Sequence, residues 1–308
     1  MLMPQQWTSD EKAALAKLLG TYSVEVTSRD TRSLDDVIRI LPQGTEVFVA
    51  NLPNESADVL IDAAARLRAA GLSPVPHLVA RNIASRRDLE HVLEGLSRKA
   101  GVQRALIVGG DRDQPAGELD AALQIIESGL LEKNGIRHIA IACYPEGHPR
   151  ISDEVLRAAL KTKIAAAERA GLDVLLVSQF AFDPAPIIDF ASSLRKDGIE
   201  APLRVGVAGP ADRMKLIRYA IRCGVGASLR VLRERGELAR NVLSGETPDD
   251  LLGQVALAQM GDPSLGIAGV HFFTFGDPAR SARWAEEQTR RLEHDPEPKA
   301  DFRMRSCG

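Results

Sequence analysis

The chain has 308 residues, 44% hydrophobic and 26% charged, with a formal charge of −3. That composition belongs to a globular protein with a sizeable core. With aromatics at only 4% and no basic excess, it speaks against both a nucleic-acid face and a stacking platform for single strands. Cys143, Cys223 and Cys307 are odd in number, far apart and without a CxxC pair, so neither a disulfide framework nor a zinc site is expected. Residues 1–12 are polar, unlike a signal peptide, and no apolar run approaches the roughly 18 residues that cross a bilayer. The expectation is a soluble cytoplasmic protein with no nucleic-acid or membrane partner.

In chain order, residues 1–20 read as an N-terminal helical extension. Eight short runs rich in Val, Ile and Leu then read as strands: 22–27, 46–51, 75–79, 105–111, 139–144, 174–179, 203–207 and 270–274. Their near-continuous apolar character is that of strands buried on both faces. Between them lie segments of helical periodicity with charged outer faces. Ser33 with Asp36, and Ser85 with Asp88, resemble capping boxes. Thr247-Pro248 and Asp277-Pro278 place proline at a first helical position. Gly71 and Gly171 follow alanine-rich stretches as helix stops. The long interval after residue 207 reads as extra helices, at 214–222, 228–233 and 248–259.

One strand and one helix per unit, repeated eight times, predicts an α/β (β/α)8 barrel as a single domain over residues 21–293. A doubly wound open sheet is the alternative. Against it, no GxGxxG follows the first strand and no break in composition divides the chain. Residues 294–308, with Pro296 and Pro298 among charges, read as a loosely ordered tail.

In a barrel, the polar residues that end the strands gather at one rim. Glu25 ends the first run. A carboxylate at an apolar mouth is partly desolvated, which raises its pKa and suits it to general acid work; the position equally suits an ion pair with Arg29. Asp111 follows Gly109-Gly110, where a ligand can approach the backbone; it is also good turn chemistry. His77 lies within the third run, either as a site group or as a satisfied core histidine. His148 follows the fifth run. No third ligand at metal-like spacing joins the two histidines, so no metal is expected. Gln179 presents a planar donor and acceptor suited to a heterocycle edge, between Phe180 and Phe182, at least one of which reads as core. Gly224 to Ser228 is either an anion-binding helix start or, more simply, a turn and cap.

Taken in order, Val24-Glu25-Val26, Pro76-His77-Leu78, Gly110-Asp111, Tyr144-Pro145-Glu146-Gly147-His148-Pro149, Gln179-Phe180-Ala181-Phe182-Asp183 and His271-Phe272-Phe273-Thr274 resemble the methylenetetrahydrofolate reductase family. The resemblance spans roughly residues 22–276. It implies a barrel oxidoreductase of one-carbon metabolism that carries FAD. Such an enzyme uses NADH or NADPH to reduce 5,10-methylenetetrahydrofolate to 5-methyltetrahydrofolate, or runs the reverse oxidation.

By that resemblance Glu25 matches the general acid that opens the folate imidazolidine ring. Asp111 matches the aspartate between the flavin pyrimidine edge and the folate, where its charge stabilises a cationic iminium. Gln179, Tyr219 and Phe273 match substrate-contacting positions. Asn51, His77, Gly110, Tyr144, His148 and Lys163 match flavin-contacting ones. A homo-oligomer follows only by analogy with the family.

The departures fall mainly where the family holds the FAD tail. Leu156, Ala159 and Thr162 stand at positions that usually bind adenosine or phosphate, and the arginine that often precedes Gly-Asp is Gly109. Arg29, Arg81 and Arg112 lie just past strand ends, either as replacement contacts for phosphate or for the folate glutamate, or as solvent-exposed charges. These changes open a variant in which hydride passes directly from nicotinamide to folate without flavin. A folate-dependent methyl transferase and a non-catalytic folate-binding barrel are the readings from other classes. A Schiff-base aldolase is disfavoured because no lysine ends any of the eight runs.

Overall fold

In a computed structural model, which describes residues 8–211, Leu216, Tyr219 and 248–294, eight parallel strands pair in sequence order and close into a barrel. They are β1 (Tyr22–Thr27), β2 (Glu46–Ala50), β3 (Ser73–Val79), β4 (Arg104–Val108), β5 (His138–Cys143), β6 (Asp173–Ser178), β7 (Leu203–Ala208) and β8 (Ile267–Phe273). Each overlaps one of the eight expected runs. Closure is by β8 on β1, with Tyr22, Ser23 and Val24 opposite Val270, His271 and Phe272. That pairing eliminates the open sheet.

The helices are α1 (Ser9–Leu19), α2 (Thr31–Ile40), α3 (Ala57–Ala69), α4 (Arg86–Ala100), α5 (Ala122–Ile126), α6 (Leu130–Lys133), α7 (Asp153–Arg169), α8 (Pro184–Lys196), α9 (Asp249–Gly261) and α10 (Pro278–His294). Ser85 caps α4 as expected, accepting from the Asp88 amide. Asp277 caps α10, accepting from the Arg280 amide, with Pro278 as its first residue. Gly71 and Gly171 adopt φ of +81° and +66° after α3 and α7, the left-handed stops glycine makes without strain. The capping box expected at Ser33 is corrected: Asp30 caps α2 and accepts from the Ser33 amide, placing Ser33 inside the helix. A carboxylate one turn earlier reaches that amide first. The expected helices at 214–222 and 228–233, the Gly224–Ser228 segment, Cys223, Cys307 and residues 295–308 lie outside the described residues.

Strand parity divides the core. Val47 and Val49 of β2 face outward and join the layer between sheet and helices. Phe48 faces inward and clusters with Val75, Leu106, Ala140 and Val177 of β3, β4, β5 and β6. Two residues below that level on β2 and β4 lie Glu46 and Arg104. The Glu46 carboxylate receives guanidinium hydrogen bonds from both Arg104 and Arg204. An ionic plug therefore closes the N-terminal end of the barrel, and the opposite end is left for chemistry. Among the described residues no helix is long and apolar enough to cross a membrane.

Candidate active site

The same parity selects what faces the barrel mouth. On β1 the inward set is Ser23, Glu25 and Thr27, since Ser23 is in register with Glu46 and Glu25 with Phe48. On β3 it includes His77, in register with Leu106. On β8 it includes His271 and Phe273, with His271 opposite both Ser23 and Gly206. Three titratable groups thereby meet above the Phe48 ring. Glu25 Oε2 is 3.7 Å from His77 Nε2 and 3.9 Å from His271 Nε2. Phe48 lies beneath, its ring centroid 4.5 Å from that of His271 and 6.1 Å from that of His77.

His271 is oriented from behind by Ser23, whose hydroxyl is 2.9 Å from Nδ1 and 3.5 Å from the Val270 carbonyl. The shorter contact directs the serine proton to Nδ1. The tautomer assigned on that basis carries its hydrogen on Nε2, facing Glu25. Ser23 and His271 are both fully buried.

The expectation of a raised Glu25 pKa is corrected. Burial does push the carboxyl up, but the neighbouring His271 and His77 side chains outweigh it and hold the carboxyl below its ordinary value. At rest Glu25 is a carboxylate. Burial pushes His77 down to about 4, against the opposing pull of Glu25, so His77 is a neutral imidazole. His271 is pushed down as well, by burial first.

This has a stability consequence. Between pH 6.5 and about 4 the unfolded chain binds a proton at residue 77 that the folded chain refuses, so stability rises with pH across that window and is lost as pH falls through it. The loss amounts to about 3 kcal/mol for a shift of this size. Urea midpoints of the wild type and of His77→Gln at pH 7 and pH 4.5 test it; the variant loses less stability on acidification.

Around this centre the rim is built from loops. Asp111 lies beyond the end of β4 rather than in the strand, exposed and lining the cavity. Gly110 has φ of +103°, and a Cβ there would meet Val79 at 2.6 Å. The segment is fixed from below by Arg81, whose guanidinium donates to the carbonyls of Arg112, Asp113 and Asp120. Arg150 donates to Asp113 Oδ1 and to the Asp111 carbonyl.

The rim arginines were expected to serve as ligand contacts or solvated charges, and the solvated reading is corrected for Arg81, which clamps the loop while lining the cavity. Arg29 pairs with Glu55 at 3.5 Å, not with Glu25. Arg112 reaches Asn54 at 3.4 Å. Tyr144 and His148 stack edge to face at 5.2 Å.

Lys163 comes from α7 rather than from a strand tip, which is why a search of strand ends passes over it. Burial lowers its pKa, and no carboxylate among the described residues pairs with it. Cys143, buried beside it, is a thiol whose pKa burial pushes up.

Gln179 follows β6. Its Oε1 accepts from the Phe180 amide at 3.0 Å. Phe180 is buried and anchors an aromatic group with Phe182, Phe273 and Phe275, ring centroids 5.3–5.8 Å apart. Tyr219 lies against Phe275 at 4.9 Å. The rim therefore has a polar arc from β2 to β5 and an aromatic arc from β6 to β8.

One cavity of about 1390 Å³ joins these groups. Glu25, Asn51, His77, Gly110, Asp111, Tyr144, His148, Lys163, Gln179 and Phe273 all line it, as does His271. Tyr219 does not. From the rim it continues between α7 and α8, past Leu156, Ala159 and Phe190, to Asp197, where Arg157 and Lys161 form ion pairs. Sequence reasoning assigned no role to Ser23, His271 or Asn82. The first two carry a legible signal, a polar residue inside an otherwise apolar strand on each side of the barrel seam.

A family model described as methylenetetrahydrofolate reductase matches residues 32–225, more than half of the chain. The match takes in Asn51 through Tyr219 of the candidate site and leaves Glu25, His271 and Phe273 outside it. Two solved structures also align. Dihydropteroate synthase from Thermus thermophilus is 14% identical, over 86% of this chain and 90% of that one, with a TM-score of 0.46. A 2,3-dimethylmalate lyase of the PEP mutase/isocitrate lyase superfamily is 12% identical, over 96% and 90%, with a TM-score of 0.47.

Proposed function

The chain belongs to the methylenetetrahydrofolate reductase family, an oxidoreductase family of folate chemistry, and on that premise we propose that its rim reduces 5,10-methylenetetrahydrofolate to 5-methyltetrahydrofolate with hydride drawn from NADH or NADPH by way of FAD. The observation that carries the reading is the convergence of Glu25, His77, His271, Asp111 and Gln179 on one cavity at the mouth of the barrel.

The residues fit the reactive half of a flavin. His77 Nε2 is buried without a hydrogen-bond partner, and the Lys163 ammonium is desolvated at the cavity wall with no carboxylate paired to it among the described residues, which suits a phosphate. The tail half fits less well. Leu156 and Ala159 bring no polar group, and the Thr162 hydroxyl is spent on the Ala158 carbonyl. Bound there, the flavin would supply a two-electron carrier between the nicotinamide and the folate.

The chain's own residues supply the rest. Glu25 delivers a proton to the folate nitrogen that leaves as the imidazolidine ring opens, and the resulting iminium accepts hydride. The proton is loaded as the reactants fill the cavity and expel water, since burial is the largest influence on this carboxyl and favours the neutral form. Asp111 places negative charge beside the cationic iminium. Gln179 holds the pterin edge, and Phe273, backed by Phe180, excludes water from the face where hydride moves.

The apolar tail positions favour a second reading, in which hydride passes directly from nicotinamide to folate. The absorption spectrum of freshly purified protein separates the two. Flavin bands that bleach on adding NAD(P)H and return on adding methylenetetrahydrofolate support the first. A colourless protein that still consumes NAD(P)H with folate establishes the second. No turnover of nicotinamide in either assay rejects both, and points to methyl transfer or binding alone. The preference between NADH and NADPH, and whether the protein also oxidises 5-methyltetrahydrofolate, are read in the same assays.

A further inference from the structure

Asn82 is the last residue of a single 3-10 turn, Ala80–Asn82, that leaves β3 at the cavity edge. Its carboxamide is oriented by its neighbours. Nδ2 faces the Asn51 carbonyl at 3.5 Å, and exchanging the two ends would set oxygen against oxygen, so the assignment of nitrogen and oxygen is fixed. Oδ1 therefore points away from Asn51. It is buried and has no hydrogen-bond partner. An orphaned buried acceptor costs free energy and calls for an explanation.

The turn that carries it is rigid. The Arg81 amide donates to Gly109, the Arg81 carbonyl accepts from Ala116, and the Ile83 amide donates to Ala80, each at 2.9–3.0 Å. A group held this firmly with unspent hydrogen-bonding capacity is pre-organised for a ligand. Asn51, which also lines the cavity, presents a second carboxamide at the neighbouring strand tip. A planar reactant edge approaching this corner must therefore bring a donor.

We propose that Asn82 is a reactant-binding residue, whose Oδ1 accepts a hydrogen bond from an amide-type N–H on a planar ring or its substituent. Three reactants of the proposed function carry that chemistry: the lactam of a flavin, the carboxamide of a nicotinamide, and the amino-lactam edge of a pterin. The inference rests on the proposed function for these candidates, and on the structure for the acceptor.

The test uses the full chain and equilibrium binding without turnover. FAD, NADH, NADPH and 5-methyltetrahydrofolate are each titrated into wild type, Asn82→Leu and Asn82→Asp, with thermal unfolding of the free proteins alongside. The expected result is that Asn82→Leu weakens one ligand class about 5- to 30-fold and leaves the others within about twofold, the range for one acceptor facing a donor left unpaired. Asn82→Asp keeps an acceptor at Oδ1 but turns its second oxygen toward the Asn51 carbonyl, and it recovers part of the loss where its unfolding temperature matches that of wild type. The unfolding temperature of the free protein changes little in Asn82→Leu, because removing the unpaired Oδ1 offsets the loss of the long Nδ2 contact to the Asn51 carbonyl.

Unchanged affinities for every ligand overturn the proposal and leave the acceptor to an ordered water. Equal weakening of all ligands with a lower unfolding temperature overturns it in favour of a structural role. Equal loss in the two variants overturns the acceptor role. If wild type binds none of the four ligands, the proposed function fails and takes this inference with it.

Discussion

Glu25→Gln slows the reduction of methylenetetrahydrofolate by about 100- to 10 000-fold while oxidation of NAD(P)H by an artificial electron acceptor stays within about threefold of wild type. Glutamine keeps the shape and the hydrogen bonding of the neutral acid but has no proton to give. The folate half-reaction needs that proton to open the imidazolidine ring, whereas hydride arriving from nicotinamide needs none. The substitution also removes the anion that lies 3.7 Å from His77 and 3.9 Å from His271. With the raising influence of Glu25 gone, both imidazoles fall further from protonation, so neither takes over as the acid. Stopped-flow measurement of the two half-reactions, with the unfolding temperature as a control, decides the matter. Equal loss in both, or loss in neither, removes Glu25 from the role of acid. In the direct-transfer reading no artificial acceptor is reduced even by wild type, and the whole effect falls on the single folate reaction.

The architecture was legible because a parallel barrel buries its strands on both faces. Eight Val-, Ile- and Leu-rich runs, most of them ending in a polar residue, leave few other arrangements. The rim was legible only in part. Asp111 follows β4 by a glycine pair, and the apolar run gave no sign of where pairing stops. The charge state of Glu25 was misread for a physical reason: desolvation is predictable from position on a strand, but the two imidazoles that outweigh it come from β3 and β8, 52 and 246 residues away along the chain. Arg81 was misread likewise, because a side chain that clamps three carbonyls of the β4 loop has the same sequence context as a solvated arginine. Ser33 failed on a simpler point, since Asp30 competes for the same amide. Lys163 could be assigned only by resemblance, because helical periodicity does not tell which lysine of α7 turns toward the barrel mouth.

At the opposite end of the barrel, Glu46→Gln destabilises the fold by about 3–5 kcal/mol, the usual cost of stranding one member of a buried ion pair. Burial pushes the Glu46 carboxyl up, and the guanidiniums of Arg204 and Arg104 more than reverse it. The partners are not equivalent. The Arg104 side chain is half exposed, at 50%, and recovers water when its partner is lost; that of Arg204 is 13% exposed and already has an unpaired Nε. Most of the penalty therefore belongs to Arg204, which cannot leave a barrel interior closed above it by Phe48 and Leu106. It follows that Glu46→Leu combined with Arg204→Leu is less damaging than Glu46→Leu alone, because the double change leaves no stranded charge. Urea unfolding of the single and double variants measures the coupling. Additive losses would show that the plug contributes through packing, and that the ionic bridge across β2, β4 and β7 does not fasten the floor on which the chemistry at the other rim rests.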